Sequence, residues 1–314
     1  MQRFWGYLSV IIATMLFGLW NTFSKILLGY LNPLTLSALV YSIAGVFLFA
    51  VYFSPLNEKI ISKLDQNSES EPFITRKEYG ILIITAIFGA FLAPFIYLNG
   101  LNQITAVNAS LLMNVEILFV VIIGIFFLKE RFVKEDIVGF LLIITGTIFL
   151  ATNGQITNFS PGQVIGTLLI VSAAFLWSID TSLSKFISKK RELLFVSAIK
   201  CSIGGFSLLF LSLIFHESFV LPLNQLPYLL FIGLIIVGFS FVLVYFAIKK
   251  IGSTRTGSLF SLASLFGAIF AFLILGESFT ITQLFFGFLM LLGVYVFYKN
   301  EDASVTFNVD DDNN

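Results

Sequence analysis

GYLSVIIATMLFGLWNTFSK at residues 6–25 and GTLLIVSAAFLWSIDTSLSK at residues 166–185 align without a gap. The register persists beyond them, carrying Ser37, Ala38, Ser42, Ile43 and Gly45 onto Ser197, Ala198, Ser202, Ile203 and Gly205. A second echo joins ITAVNASLLMNVEILFVVIIGIFFLKERF (104–132) to IGSTRTGSLFSLASLFGAIFAFLILGESF (251–279). There Glu130 matches Glu277 and Phe132 matches Phe279, whereas Glu116 meets Ala263, so the copies are not equivalent. Shared Ser-Lys pairs and Glu-x-Phe ends are not what apolar bias alone produces. The chain reads as a duplication, with halves at residues 1–155 and 160–299 and a disordered acidic tail at 300–314.

Composition places this duplication in a membrane. Of 314 residues, 58% are hydrophobic and only 11% charged, with a mean hydropathy of +0.97, which excludes an ordinary soluble domain. The zero net charge points to no acidic partner and to no nucleic acid. Apolar segments of about spanning length fall at 4–28, 34–53, 79–98, 104–128, 164–187, 193–215, 226–248, 257–275 and 281–298, with a shorter one at 137–151. The expected fold is all-α integral membrane, ten transmembrane helices in two five-helix repeats. Five spans separate equivalent helices, an odd number, so the second repeat is inverted relative to the first. The first span is expected to be retained rather than cleaved as a signal peptide, because it runs into polar helix positions without a small-residue cleavage site.

Basic residues set the orientation. With the N-terminus cytoplasmic, Arg3, the 54–78 connector, and the Lys and Arg of 129–134, 189–191, 249–255 and 299 all lie inside, the outer loops carry none, and only Lys25, near the outer end of the first span, lies on the other side. The chain is therefore expected in the cell (plasma) membrane with both termini cytoplasmic. Cys201, the single cysteine, is read as a small packing residue, and His216 as a boundary residue.

The paired first helices (residues 17–25 and 176–185), Asn32-Pro33, TAVNASLLMNVEILF with LKERF, LGESF, and the glycines 139 and 287 resemble the drug/metabolite transporter superfamily, specifically its ten-span EamA-type permeases. The resemblance covers nearly the whole chain. It implies export of a metabolite. Ile117 stands where many members carry a proline after the position of Glu116, which leaves a break in that helix open.

Glu116, near the middle of an apolar span, is the most costly residue in the sequence. A charge there costs about 2.5–3.5 kcal/mol on insertion scales, so it must face a polar interior. Three roles stay open for it: proton carrier, counter-charge for a cationic substrate group, or half of a structural pair with Lys200 or a similar residue. Phe17, Asn21 and Lys25 share one helix face, as do Trp177, Thr181 and Lys185. The lysines Lys25 and Lys185 either snorkel to the interface or reach the substrate path. Trp20 and Trp177 suit either an interfacial belt or a cavity wall. Asp180 and Lys200 face the cavity or pair with a neighbour. Asn108 and Asn114 can bond to adjacent helices or to a substrate. Tyr97 and Tyr245 occupy matching positions of the third and eighth spans, and Pro94 marks a kink or hinge.

Other classes need features this chain lacks. There is no phosphate-binding G-x-x-x-x-G-K-S/T loop for a primary pump, and one histidine cannot form a metalloprotease site. No filter-like loop supports a channel. A regulatory or scaffolding membrane protein stays open, but it would not need polar residues inside its helices. The reading is a secondary transporter of a small polar metabolite, such as an amino acid or related compound, an exporter with no enzymatic activity, metal or cofactor. Its partners are the solute, the lipid bilayer and a coupling proton or counter-substrate.

Overall fold

The computed structural model describes residues 2–56, 75–128, 136–151, 161–188, 193–251, 253–278 and 280–311. The polar part of the 54–78 connector and Glu130 with its basic neighbours lie outside them. Every regular element described is helical. Helix α1 is Gln2–Leu27, α2 is Pro33–Tyr52, and α3 joins Arg76–Thr85, a π-helical Ala86–Leu92 and Ala93–Gln103. Helix α4 is split into α4a, Ala106–Leu112, and α4b, Val115–Leu128; α5 is Asp136–Ala151. In the second half α6 is Pro161–Ser188 and α7 is Leu193–Ile214, while α8 joins Leu226–Leu230, a π-helical Phe231–Phe239 and Ser240–Ile251. Helix α9 is again split, into α9a, Ser253–Phe260, and α9b, Ala263–Leu275, and α10 is Ile281–Asp311. Seven of these helical runs are long and apolar enough to cross a membrane, and 137–150, 263–275 and 281–296 are shorter apolar helices.

Local chemistry fixes the ends. Asn32 caps α2 by accepting from Thr35 N at 2.8 Å, with Pro33 inside the first turn where its missing N–H costs nothing. Thr75 and Glu78 form a reciprocal capping box at the start of α3, as Thr280 and Gln283 do at α10. Gly276 ends α9b at φ 67°, a left-handed position that glycine adopts without strain. The described backbone of α10 extends to Asp311. Once a helix has nucleated it propagates at one bond per residue, and residues 300–311 hold no Gly or Pro to stop it.

The inversion is visible in the packing. Helix α2 lies against α7, its sequence counterpart. A Cβ on Gly45 would come within 2.7 Å of Ser202 N, and one on Gly205 within 2.7 Å of Ser42 Cα. Because Ser42 and Gly45 correspond to Ser202 and Gly205, each contact is the image of the other. As the position rises along α2 it falls along α7, so equivalent helices run antiparallel about a two-fold axis between them. Among the described residues the Ser42 and Ser202 hydroxyls have no hydrogen-bond partner, so small size is what these serines contribute to the crossing. A second reciprocal pair sits further out, where a Cβ on Gly6 would lie 2.8 Å from Ile251 Cγ2 and one on Gly166 would lie 2.5 Å from Ile104 Cγ2.

Each half therefore packs mainly on the other. Helix α1 lies on the end of α8 and on α9b, α6 on the end of α3 and on α4b, and α5 on α10, where Phe149 stacks on Phe286 at 4.0 Å. A continuous apolar core from both halves fills the centre.

Candidate functional site

The polar residues of the middle converge where the two split helices meet. The α4 break falls at Met113 and Asn114, and the α9 break at Ser261 and Leu262, within one residue of equivalent places in the two copies. No proline causes either one. Around the first, i→i−3 bonds replace the regular ladder, with Asn114 N donating to Leu111 O at 3.2 Å and Glu116 N to Met113 O at 3.0 Å. The Asn114 side chain joins in, its Nδ2 donating to Leu111 O at 3.2 Å. The Ser264 hydroxyl lies 3.1 Å from Asn114 Oδ1 and 2.9 Å from Ser261 O, so the two breaks are tied together. Irregular backbone at membrane depth persists only where it is buried in protein or lines a polar cavity.

A second polar cluster lies one turn away. Asn21 donates from Nδ2 to Ser110 Oγ at 2.6 Å and accepts the Tyr97 hydroxyl, while Ser110 donates to Ala106 O at 2.7 Å. Asn21 and Tyr97 are both buried, and the Tyr97 ring lies 5.3 Å from the Trp177 ring. Trp177 Nε1 donates to Gly89 O at 2.8 Å, a carbonyl in the π-helical stretch of α3. The kink expected from Pro94 is therefore this π-helix, and its irregular turn presents an acceptor to α6. Trp177 is half-buried, and Trp20 is 8% exposed and packs edge-on against Tyr41.

Glu116 sits at the start of α4b and accepts the Thr181 hydroxyl at 3.0 Å. Lys200 is not its partner. Lys200 pairs with Asp180, and Ser184 Oγ bridges them, 3.0 Å from Asp180 Oδ1 and 3.3 Å from Lys200 Nζ. The pairing of Glu116 with Lys200 held open from sequence is thus replaced by an Asp180–Lys200 pair. The reason is geometric, because Asp180 and Ser184 stand one turn apart on the α6 face that meets α7. Among the described residues no lysine or arginine forms an ion pair with Glu116. Gly89 makes room for the pair: a Cβ there would lie 2.9 Å from Asp180 Cβ.

Two further candidate path residues bond to protein groups. Lys25 Nζ donates to Leu101 O at 2.5 Å and Ile104 O at 2.7 Å, at the corner between α3 and α4a. Asn108 accepts from Gln283 Nε2 at 2.8 Å and so ties α4a to α10. The side chains of Lys185 and Tyr245 lie outside the described ones. Reasoning from sequence missed Ser110 and Ser264. Ser110 stands one turn before Asn114 on the same face, a spacing that could have revealed it.

This is the architecture of a membrane transporter built from an inverted repeat, with a polar centre where the repeats meet. The chain belongs to the EamA-like transporter family, whose model matches it twice, at residues 4–152 and 164–299. An uncharacterized transporter of Methanothermobacter thermautotrophicus is 46% identical over 301 residues, covering 96% of this chain and 88% of that one. The Bacillus subtilis transporter YetK is 23% identical over 92% of this chain and 84% of its own length. A solved crystal structure shares the fold at a TM-score of 0.62 and 20% identity, with 93% of this chain and 95% of the other aligned.

Proposed function

We propose that this EamA-family transporter is a secondary exporter of a small polar metabolite, such as an amino acid or related compound, that works by alternating access around Glu116, Thr181 and the joined helix breaks. The observation that carries the reading is Glu116 itself. It is a carboxylate at membrane depth that accepts a hydroxyl and, among the described residues, no cation, so a proton or a cationic group of the solute can use it. Trp177 and Tyr97 add an aromatic wall one helical turn away. With the positive-inside distribution, the protein sits in the plasma membrane with both termini and the 54–78 connector cytoplasmic.

A thermal-shift screen of the purified protein across metabolite classes tests the site. A ligand of the native state raises the melting temperature, and its effect should weaken at least about tenfold in concentration in Glu116→Gln and Thr181→Val. A ligand whose effect is untouched by both changes would place binding elsewhere. Orientation is checked in Cys201→Ser protein with single cysteines at Ser68 and Asn158. An impermeant reagent applied to intact cells should label Asn158→Cys and spare Ser68→Cys, and the reverse would invert the topology.

A further inference from the structure

The two halves are related by symmetry, but their contacts are not, and the difference points to a clamp. Helix α4a packs closely on α9b, whereas among the described residues their symmetry counterparts α9a and α4b show no comparable packing. Equivalent side chains differ in the same sense. Asn21 is buried against Tyr97 and Ser110, while its counterpart Thr181 is exposed. Among the described residues the halves therefore pack more closely toward the end where α1, α3 and α9b finish than toward the other.

At the more closely packed end two charged side chains from different halves grip one corner of chain. Lys25, at the end of α1, donates to the carbonyls of Leu101 and Ile104. Glu277, just past α9b, accepts from the backbone N–H of Ala106 at 2.8 Å and of Val107 at 2.9 Å. Together they satisfy the last carbonyls of α3 and the first donors of α4a, groups that helix ends leave unpaired. The geometry points to Lys25 and Glu277 as the clamp that holds this end shut, and their release from the 101–107 corner as the step that opens it to the far side. Lys25 then acts in gating and not as a substrate ligand. This inference rests on the alternating-access reading above. Charged hydrogen bonds suit such a clamp because water replaces them when the corner swings out, whereas a purely apolar seal would leave nothing to direct its closing.

The test uses full-length protein in nanodiscs with spin labels at Asn102→Cys and Ser278→Cys in Cys201→Ser protein, on either side of the clamp. Glu277→Gln and Lys25→Met should each raise the long-distance population about tenfold, the equivalent of losing one charged hydrogen bond. Thr181→Cys, the exposed counterpart of Asn21 beside Glu116, should become correspondingly less reactive to a soluble thiol reagent in the same backgrounds. Glu277→Asp keeps the charge but falls short of both N–H groups, and gives a smaller change if Glu277→Gln does not fold. Unchanged distances in folded variants would overturn the clamp. Opening of the corner with Thr181→Cys equally reactive would overturn it as well, reducing the two residues to a local tether. Transport is read separately: failure of the unmodified protein to move any solute would sink the transporter reading, whatever the labels report.

Discussion

Single residues carry the chemistry here, and two carboxylates at membrane depth have different fates. Asp180 is matched by Lys200 and Ser184, so Asp180→Asn or Lys200→Met alone leaves an uncompensated charge and should cost about 3–5 kcal/mol. The double change should recover most of that loss. Melting of the three variants in detergent, compared as a double-mutant cycle, measures it. Glu116 should behave otherwise, because among the described residues it accepts only the Thr181 hydroxyl. Glu116→Gln preserves size and should fold with a melting temperature close to that of the parent. If Glu116 carries the coupling proton, the variant loses transport driven by a pH gradient and keeps exchange of labelled for unlabelled solute. Normal gradient-driven transport by Glu116→Gln would remove the proton role. The depth of Glu116 was legible from sequence, as was its need for a polar neighbour. That Lys200 would go to Asp180 was not, because helix rotation decides between two carboxylates and no local pattern encodes it.

Elements depart from regularity in matched places, and at the α4 and α9 breaks polar side chains rather than prolines accompany the departure. Both third-in-repeat helices carry π-helical stretches, Ala86–Leu92 and Phe231–Phe239, yet Pro94 follows only the first. Both fourth-in-repeat helices break, with Asn114 and Ser264 bonding across the gap. The missing proline at Ile117 had left a break open, and the polar side chains supply it by offering the backbone alternative partners. Asn114→Ala should cost about 0.5–2 kcal/mol, the range for a polar contact between membrane helices. Gly89→Ala should cost about 1–3 kcal/mol by overpacking against Asp180, and should disturb the pair with Lys200. Both are read from melting temperature, and an unperturbed melt for Gly89→Ala would contradict the close approach of α3 to α6.

At the scale of the molecule, the halves legible in the sequence are not separate bodies. Apolar periodicity and the repeated motifs revealed an all-helical membrane fold and an internal repeat with one set inverted. They could not reveal that α1 would pack on α8 and α9b, or α2 on α7, because partner choice depends on small residues such as Gly45 and Gly205 facing each other across the axis. Residues 1–155 expressed alone should therefore be protease-sensitive, and co-expression with residues 156–314 should restore a folded protein that melts cooperatively. The central claim is that these interlocked halves form one solute site exposed to one side at a time, and counterflow in proteoliposomes tests it most directly. Vesicles loaded with unlabelled solute should transiently accumulate labelled solute above its external concentration, saturably, and Glu277→Gln should change the rate while Glu116→Gln retains the exchange. Uptake that rises linearly with concentration and never exceeds the external level, in vesicles of folded protein, would contradict it.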